Sequence, residues 1–234
     1  MHSSSAPIPD VSIILPCAGF GTRFEAPYSK ELHCLAPGVT VLDRSLEAVV
    51  EVAKSGLNVR LVVVIRSHKL DTISYLARYA DIFQLVFVYQ DESLASGLDG
   101  AIRSALPMTR GPVALVLPDI IITGAGSAGC LLAALRRIGE SGWSVVAAEE
   151  RDPDKLQQMG ALAVVEDGGA VTVKAAAEKP VDPSAFNAFW GMVAVAEEEA
   201  HRLPDVVNRG ADSPLPGAGA LMVETIINYN TATG

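Results

Sequence analysis

The chain has 234 residues, half of them hydrophobic, and a formal net charge of −9. That length supports one large α/β domain with a substantial core, or two small ones. The acidic balance and an aromatic content of only 6% argue against a general nucleic-acid binder, which needs an extended cationic surface, and against a single-strand stacking platform. A nucleotide pocket is compatible with both figures, because two or three local cations suffice for it.

Residues 1–10 are polar, have no signal-peptide core, and read as a disordered tail. Val11–Leu15 is an apolar run of the kind that forms a buried parallel strand. Val41–Lys54 has helical apolar spacing and stops at Ser55-Gly56. Val59–Ile65 is a β-branched strand, Leu70–Tyr79 a helix and Leu85–Tyr89 a short strand. Gly97–Leu106 reads as a helix, Val113–Leu117 as a buried strand closed by Pro118-Asp119, and Ser127–Ile138 as a helix ended by Gly139. Trp143–Ala148 is a strand. Ala161–Glu166, an Asp167-Gly168-Gly169 turn and Ala170–Lys174 form a hairpin. Phe189–Val195 is a strand, Glu197–Arg202 a solvated helix, Gly210–Gly219 a loop and Thr225–Tyr229 a last strand. Alternating strands and helices predict right-handed crossovers and a mostly parallel sheet covered on both faces, with the hairpin making it mixed or adding a small lobe. Ligands then bind beyond the carboxyl ends of the strands.

The first strand empties into Gly19-Phe20-Gly21-Thr22-Arg23, and Lys30 follows seven residues after the arginine. Glycines let backbone N–H groups approach phosphate oxygens, and the two cations neutralise charge. Two other readings compete. The glycines could serve the turn alone. Gly19-x-Gly21 is also half of a dinucleotide fingerprint, but Phe24 stands where that pattern has Gly or Ala, and Pro27 would break the helix that should follow. Asp119, at the mouth of a buried strand, is a carboxylate suited to Mg²⁺, with a turn or N-cap aspartate as the lesser alternative.

Gly19-Phe20-Gly21-Thr22-Arg23 with Ser29-Lys30-Glu31-Leu32 resembles the signature loop of the nucleoside-triphosphate-dependent sugar nucleotidyltransferases: a strand, then G-x-G-T-R, then a P-K or S-K element. The resemblance implies a three-layer α/β/α Rossmann-like nucleotidyltransferase fold with a mixed, mostly parallel central sheet. It implies one domain over 11–234, with a nucleotide-binding half of about 11–125 and an acceptor-binding half of about 126–234. Pro16, Ala18, Gly19, Gly21 and Thr22 would line the nucleotide, and Arg23 and Lys30 would contact its phosphates. Leu115-Val116-Leu117-Pro118-Asp119 resembles the family's L-V-L-x-D segment, whose aspartate holds the metal. Gln90 with Gly97-Leu98 resembles the base-reading Q…G-L-x-x-A element, at a longer spacing. Glu178-Lys179-Pro180 resembles E-K-P, where the lysine contacts the sugar phosphate and the glutamate a hydroxyl. Gly160 and the Asn187–Gly191 segment occupy the acceptor-pocket positions. There Trp190 packs either over the acceptor or in the core, and Met159 stands where hexose-using relatives carry an aromatic. Asn228 stands where the family's second metal-binding aspartate is usual.

The implied chemistry is Mg²⁺-dependent transfer of a nucleoside monophosphate from CTP, UTP or dTTP to a sugar 1-phosphate or another phosphorylated or phosphonate acceptor. The expected partners are those two small molecules and, in addition, a second copy of the chain; nucleic acid and membranes are not among them. Cys17, Cys34 and Cys130 show no disulfide or zinc spacing, so a reducing cytoplasm is the expected location, and Cys17 reads as a small buried hydrophobe. No catalytic role falls to the four scattered histidines. A non-catalytic nucleotide-sugar binder is the alternative. More remote is a glycosyltransferase, for which Asp152-Pro153-Asp154 spells a D-x-D.

Overall fold

A computed structural model describes residues 10–21, 24, 26–94, 97–167, 170–208, 219–223 and 225–228. In chain order the elements are β1 (Val11–Pro16), β2 (Cys34–Ala36), β3 (Val39–Thr40), α1 (Val41–Ser45), α2 (Glu47–Lys54), β4 (Val59–Ile65), α3 (Leu70–Leu76), β5 (Gln84–Tyr89), α4 (Leu98–Ala105) and β6 (Val113–Val116). They continue with β7 (Ile120–Thr123), α5 (Cys130–Ser141), β8 (Trp143–Glu149), α6 (Pro153–Leu156), β9 (Gly160–Asp167), β10 (Ala170–Glu178), β11 (Ala188–Val195), α7 (Leu203–Asn208), β12 (Gly219–Val223) and β13 (Thr225–Asn228).

Nine strands form one sheet in the order β5-β4-β1-β6-β11-β8-β12-β10-β9. β5, β4, β1 and β6 are parallel, and β11 runs against β6 and β8. β9 pairs with β10 and also returns to β11 through Ala188↔Leu162 and Phe189↔Ala161, so the last five strands close into a ring of pairings. Strand order reverses beside β1: β4 and β5 lie on one side, β6 on the other. Such a switch leaves a crevice beyond the strand ends, where an α/β sheet binds ligands.

Period-two alternation sorts the buried strand residues into two cores. Ile13, Leu15, Leu61, Val63, Ile65, Ala114, Val116 and Val146 face one layer with residues of α2 and α5. Ile14, Val62, Val64, Val113, Leu115, Val145 and Ala147 face the other with residues of α4 and α7. Both faces are therefore dry, and the continuous apolar runs follow from that. The one hydroxyl inside β1, Ser12, is satisfied by Arg110, donating to its carbonyl at 2.7 Å and accepting from its N–H at 2.8 Å.

Several sequence expectations are corrected. The helix over 41–54 opens with a Thr40–Asp43 capping box but is interrupted at Leu46. The preceding Ser45 Oγ lies 3.0 Å from the carbonyl oxygens of both Val41 and Pro118, and a serine bonded back to the previous turn bends a helix. The helix expected to end at Gly139 runs through it to Ser141. Gly142, at φ 75°, ends it, where a left-handed residue lets its N–H reach the Ile138 carbonyl at 2.7 Å. The Glu197–Arg202 segment is a 3₁₀ turn leading into α7. The hairpin's second strand extends to Glu178. The sequence reading missed β7 and β12 altogether; β12 lies inside the sheet between β8 and β10. Residues 1–9 and most of the 210–219 segment expected to be a loop lie outside the described residues.

Candidate active site

The glycine-rich turn begins at the carboxyl end of β1. Pro16 pairs with Val64, the Cys17 N–H donates to the Val64 carbonyl at 2.8 Å, and Ala18 is buried against the α4 side. Gly19 and Gly21 follow. Thr22 and Arg23 lie outside the described residues. Phe20 is 62% exposed, its ring stacked on His68 with centroids 5.6 Å apart and covered by the Arg66 guanidinium at 4.6 Å. His68 Nε2 also lies 3.5 Å from the Gly19 carbonyl. Arg66 and His68 extend from the end of β4, so a second strand mouth braces the turn. The sequence reading assigned neither residue a role.

Lys30 and Asp119 are 89 residues apart in the chain and meet here, with Nζ 2.7 Å from Oδ2. Asp119 is only 4% exposed. It follows β6, two strands from β4 and adjacent to β1, and Ser45 anchors the Pro118 carbonyl just before it. Asn228 is opposite Ile120 in the β13–β7 pairing, which brings its backbone beside the residue after Asp119. Among the described residues no three His, Cys, Asp or Glu side chains group to hold a metal. The donor set still suits Mg²⁺, a hard cation commonly held by one or two carboxylates together with substrate phosphates. Asp119 can supply one such oxygen.

Lys30 sits in a one-turn 3₁₀ helix, Lys30–Leu32, that has no side-chain cap. Its neighbours are anchored to the start of α3. Ser29 donates through N–H and Oγ to Asp71 at 2.7 and 2.6 Å. Glu31, fully buried, accepts from Lys69 Nζ at 3.0 and 3.2 Å and from Thr72 Oγ1 at 2.8 Å. Burial pushes the Cys17 thiol well above its ordinary range, and the neighbouring Glu31 and Asp119 carboxylates add to the rise. Cys17 is buried here, the small hydrophobe that its sequence context leads one to expect.

Gln90 leaves the end of β5, buried, with its N–H on the Ile65 carbonyl at 2.9 Å and its Nε2 3.3 Å from the Gly97 carbonyl. Gly97 is the N-cap of α4 and Leu98 its first residue. The three residues expected to read the base are therefore contiguous in space.

A second cluster forms at the start of β9. Gly160 pairs with Glu178, and the Lys179 N–H donates to the Met159 carbonyl at 3.0 Å. Lys179 has φ 48°, a left-handed conformation costly for a side chain bearing a Cβ. Glu178 is pushed up by burial, against the opposing pull of the Lys179 ammonium 3.8 Å away. Trp190, half-buried, leans on Gly160: a Cβ there would stand 1.9 Å from the indole Nε1. Trp190 packs on the protein's own backbone and lines a small cavity with Ala161, Ala176 and Glu178, among others. Asn187 is engaged structurally, its amide donating to and accepting from the Val164 backbone at 2.8 Å each way. Gly160→Ala is expected to displace the indole or β9 and lower thermal stability by about 1–3 kcal/mol, the usual cost of overpacking, read by thermal melting. On a Trp190→Ala background, where the indole is absent, Gly160→Ala should cost much less.

Antiparallel pairing of β11 with β6, Met192↔Val116, carries Trp190 to the sheet end at which Asp119 emerges. Both clusters and the Gln90 region thus share one rim. The Asp152-Pro153-Asp154 motif instead starts α6, with Asp152 accepting from the Asp154 N–H at 3.0 Å as its N-cap. No described helix is long and apolar enough to cross a membrane.

No family model and no curated protein matches the sequence. Solved structures do match. A UDP-glucose pyrophosphorylase from Acinetobacter baumannii is 19% identical, with a TM-score of 0.68 over 96% of this chain and 90% of that one. A UTP-bound structure of that organism's enzyme scores 0.63 at 18% identity, covering 95% and 89%. A putative glucose-1-phosphate thymidylyltransferase from Bacillus anthracis, in complex with a sucrose, scores 0.71 at 13% identity over 94% and 90%. Over nearly its whole length, this chain shares the fold of these sugar nucleotidyltransferases.

Proposed function

We propose that the protein transfers a nucleoside monophosphate from a pyrimidine nucleoside triphosphate to a phosphorylated or phosphonate small molecule, releasing pyrophosphate. The observation that carries this reading is the Lys30–Asp119 pair at the switch point of this fold, beside a glycine-rich turn. A similar fold holds UTP in one of the matching structures.

In this reading an ionised oxygen of the acceptor attacks the α-phosphorus in line, and the bond from that phosphorus to the bridging oxygen of pyrophosphate breaks. No strong general base is needed, so catalysis consists of positioning and charge stabilisation. Lys30 turns from Asp119 to the departing pyrophosphate, and Arg23 is assigned the same task from the turn. Gln90, Gly97 and Leu98 hold the base. Lys179 and Glu178 orient the acceptor. Asp119, with Asn228 beside it, is the residue that would hold Mg²⁺; bound there, the ion supplies neutralisation of phosphate charge.

The test is a pyrophosphate-release screen of the five common triphosphates against phosphorylated sugars, cyclitol phosphates, phosphocholine and phosphonates. Turnover with one pyrimidine triphosphate and one acceptor class is the expected result. Nucleotide binding by calorimetry without release across the whole panel would favour the non-catalytic binder, a reading motivated by an asparagine at position 228.

A further inference from the structure

The buried charges beside Lys30 lack an explanation in terms of stability alone. Side chains of Glu31 and Lys69 are 1% and 3% exposed. Replacing a buried ion pair by apolar residues is often neutral or stabilising, so such a pair needs another reason to exist. Its placement supplies one. The 3₁₀ turn carrying Lys30 follows a stretch of loop and has no cap of its own. Ser29 on one side and Glu31 on the other are both tied to Lys69–Thr72, the corner where β4 passes into α3. The residue between two clamped neighbours has its backbone direction fixed.

We infer that the Ser29–Asp71 bonds and the Glu31–Lys69–Thr72 network form a two-point clamp whose task is to aim the Lys30 ammonium at the phosphate-binding cleft, making Glu31, Lys69, Asp71 and Thr72 positioning residues. The inference rests on the nucleotidyl-transfer reading for its consequence in turnover, and on geometry alone for the clamp. Fixing the backbone from which Lys30 swings from Asp119 to the phosphates limits the conformations its ammonium has to search, which is how positioning lowers a barrier. Ser29 and Thr72 hydroxyls suit this task because each supplies a directional donor to a carboxylate.

Asp71 is only partly buried, so Asp71→Asn should fold. In the full chain, this variant is expected to raise the labelling of Lys30 by a water-soluble amine-acylating reagent at least threefold, read by mass spectrometry, while exposed Lys54 and Lys155 keep their rates. With a working substrate pair, kcat should fall at least fivefold and KM for the triphosphate change less than twofold. Thr72→Val should share both effects, and Thr72→Ser, which keeps the hydroxyl, should restore them towards the parent. Unchanged Lys30 labelling in Asp71→Asn and Thr72→Val would overturn the clamp. Increased labelling in a protein that turns over no substrate would uphold the clamp and refute the proposed reaction instead.

Discussion

Asp119→Ala is expected to lower kcat for nucleotidyl transfer about 30- to 1,000-fold, the equivalent of about 2–4 kcal/mol at the scale of one lost preorganised charge contact. The fold should survive. Lys30, its partner, is 22% exposed and on a short turn, so its ammonium is not sealed from water when the carboxylate goes. The desolvation penalty that makes an orphaned buried charge so damaging is therefore small here. Activity should not return with Lys30→Ala on the same background, because both groups act on the same phosphates. The measurement is pyrophosphate release alongside a thermal melt. A variant with parental turnover would remove Asp119 from the mechanism, and one that fails to melt cooperatively would give it a structural role instead.

Glu31→Ala should behave in the opposite way, harming the fold first. Lys69 would be left buried with its acceptor gone, and Thr72 with an unused hydroxyl. Breaking a buried pair by removing one member costs about 3–5 kcal/mol. For a chain of this size each kcal/mol shifts the melting temperature by about 2–4 °C, so a drop on the order of 10 °C is expected by calorimetry. Glu31→Ala/Lys69→Met should recover much of that stability, since the uncompensated charge is gone, yet remain poor in turnover because one of the clamp's two points is lost and only Ser29–Asp71 is left. Equal melting temperatures for the single and double variants would show that the pair is not the source of the loss.

The contrast between these neighbours shows how far a motif can be read. Lys30 and Asp119 were legible because each sits in a short pattern next to a strand end, and an open sheet collects such ends along one rim. Gln90 with Gly97 and Gly160 with Glu178 stood out only through the family resemblance, and the structure brings each pair together. Glu31, Lys69 and Thr72 were not. In the chain they look like ordinary polar residues near helix starts, and only closure of the β1–β4 pairing buries them against one another. Trp190 was open between two roles until β9 folded back on β11 and laid Gly160 under the indole.

Local sequence alone determined the alternation of strands and helices, the two dry faces of the sheet and the identity of the groups along its rim. Those depend on side-chain period and on chemistry within a few residues. The tertiary structure alone decided that β12 lies inside the sheet, that β7 exists to receive β13, and which acid lies against which cation. Those outcomes depend on pairings between segments tens of residues apart, whose strength comes from burial and hydrogen bonding that no single segment can supply.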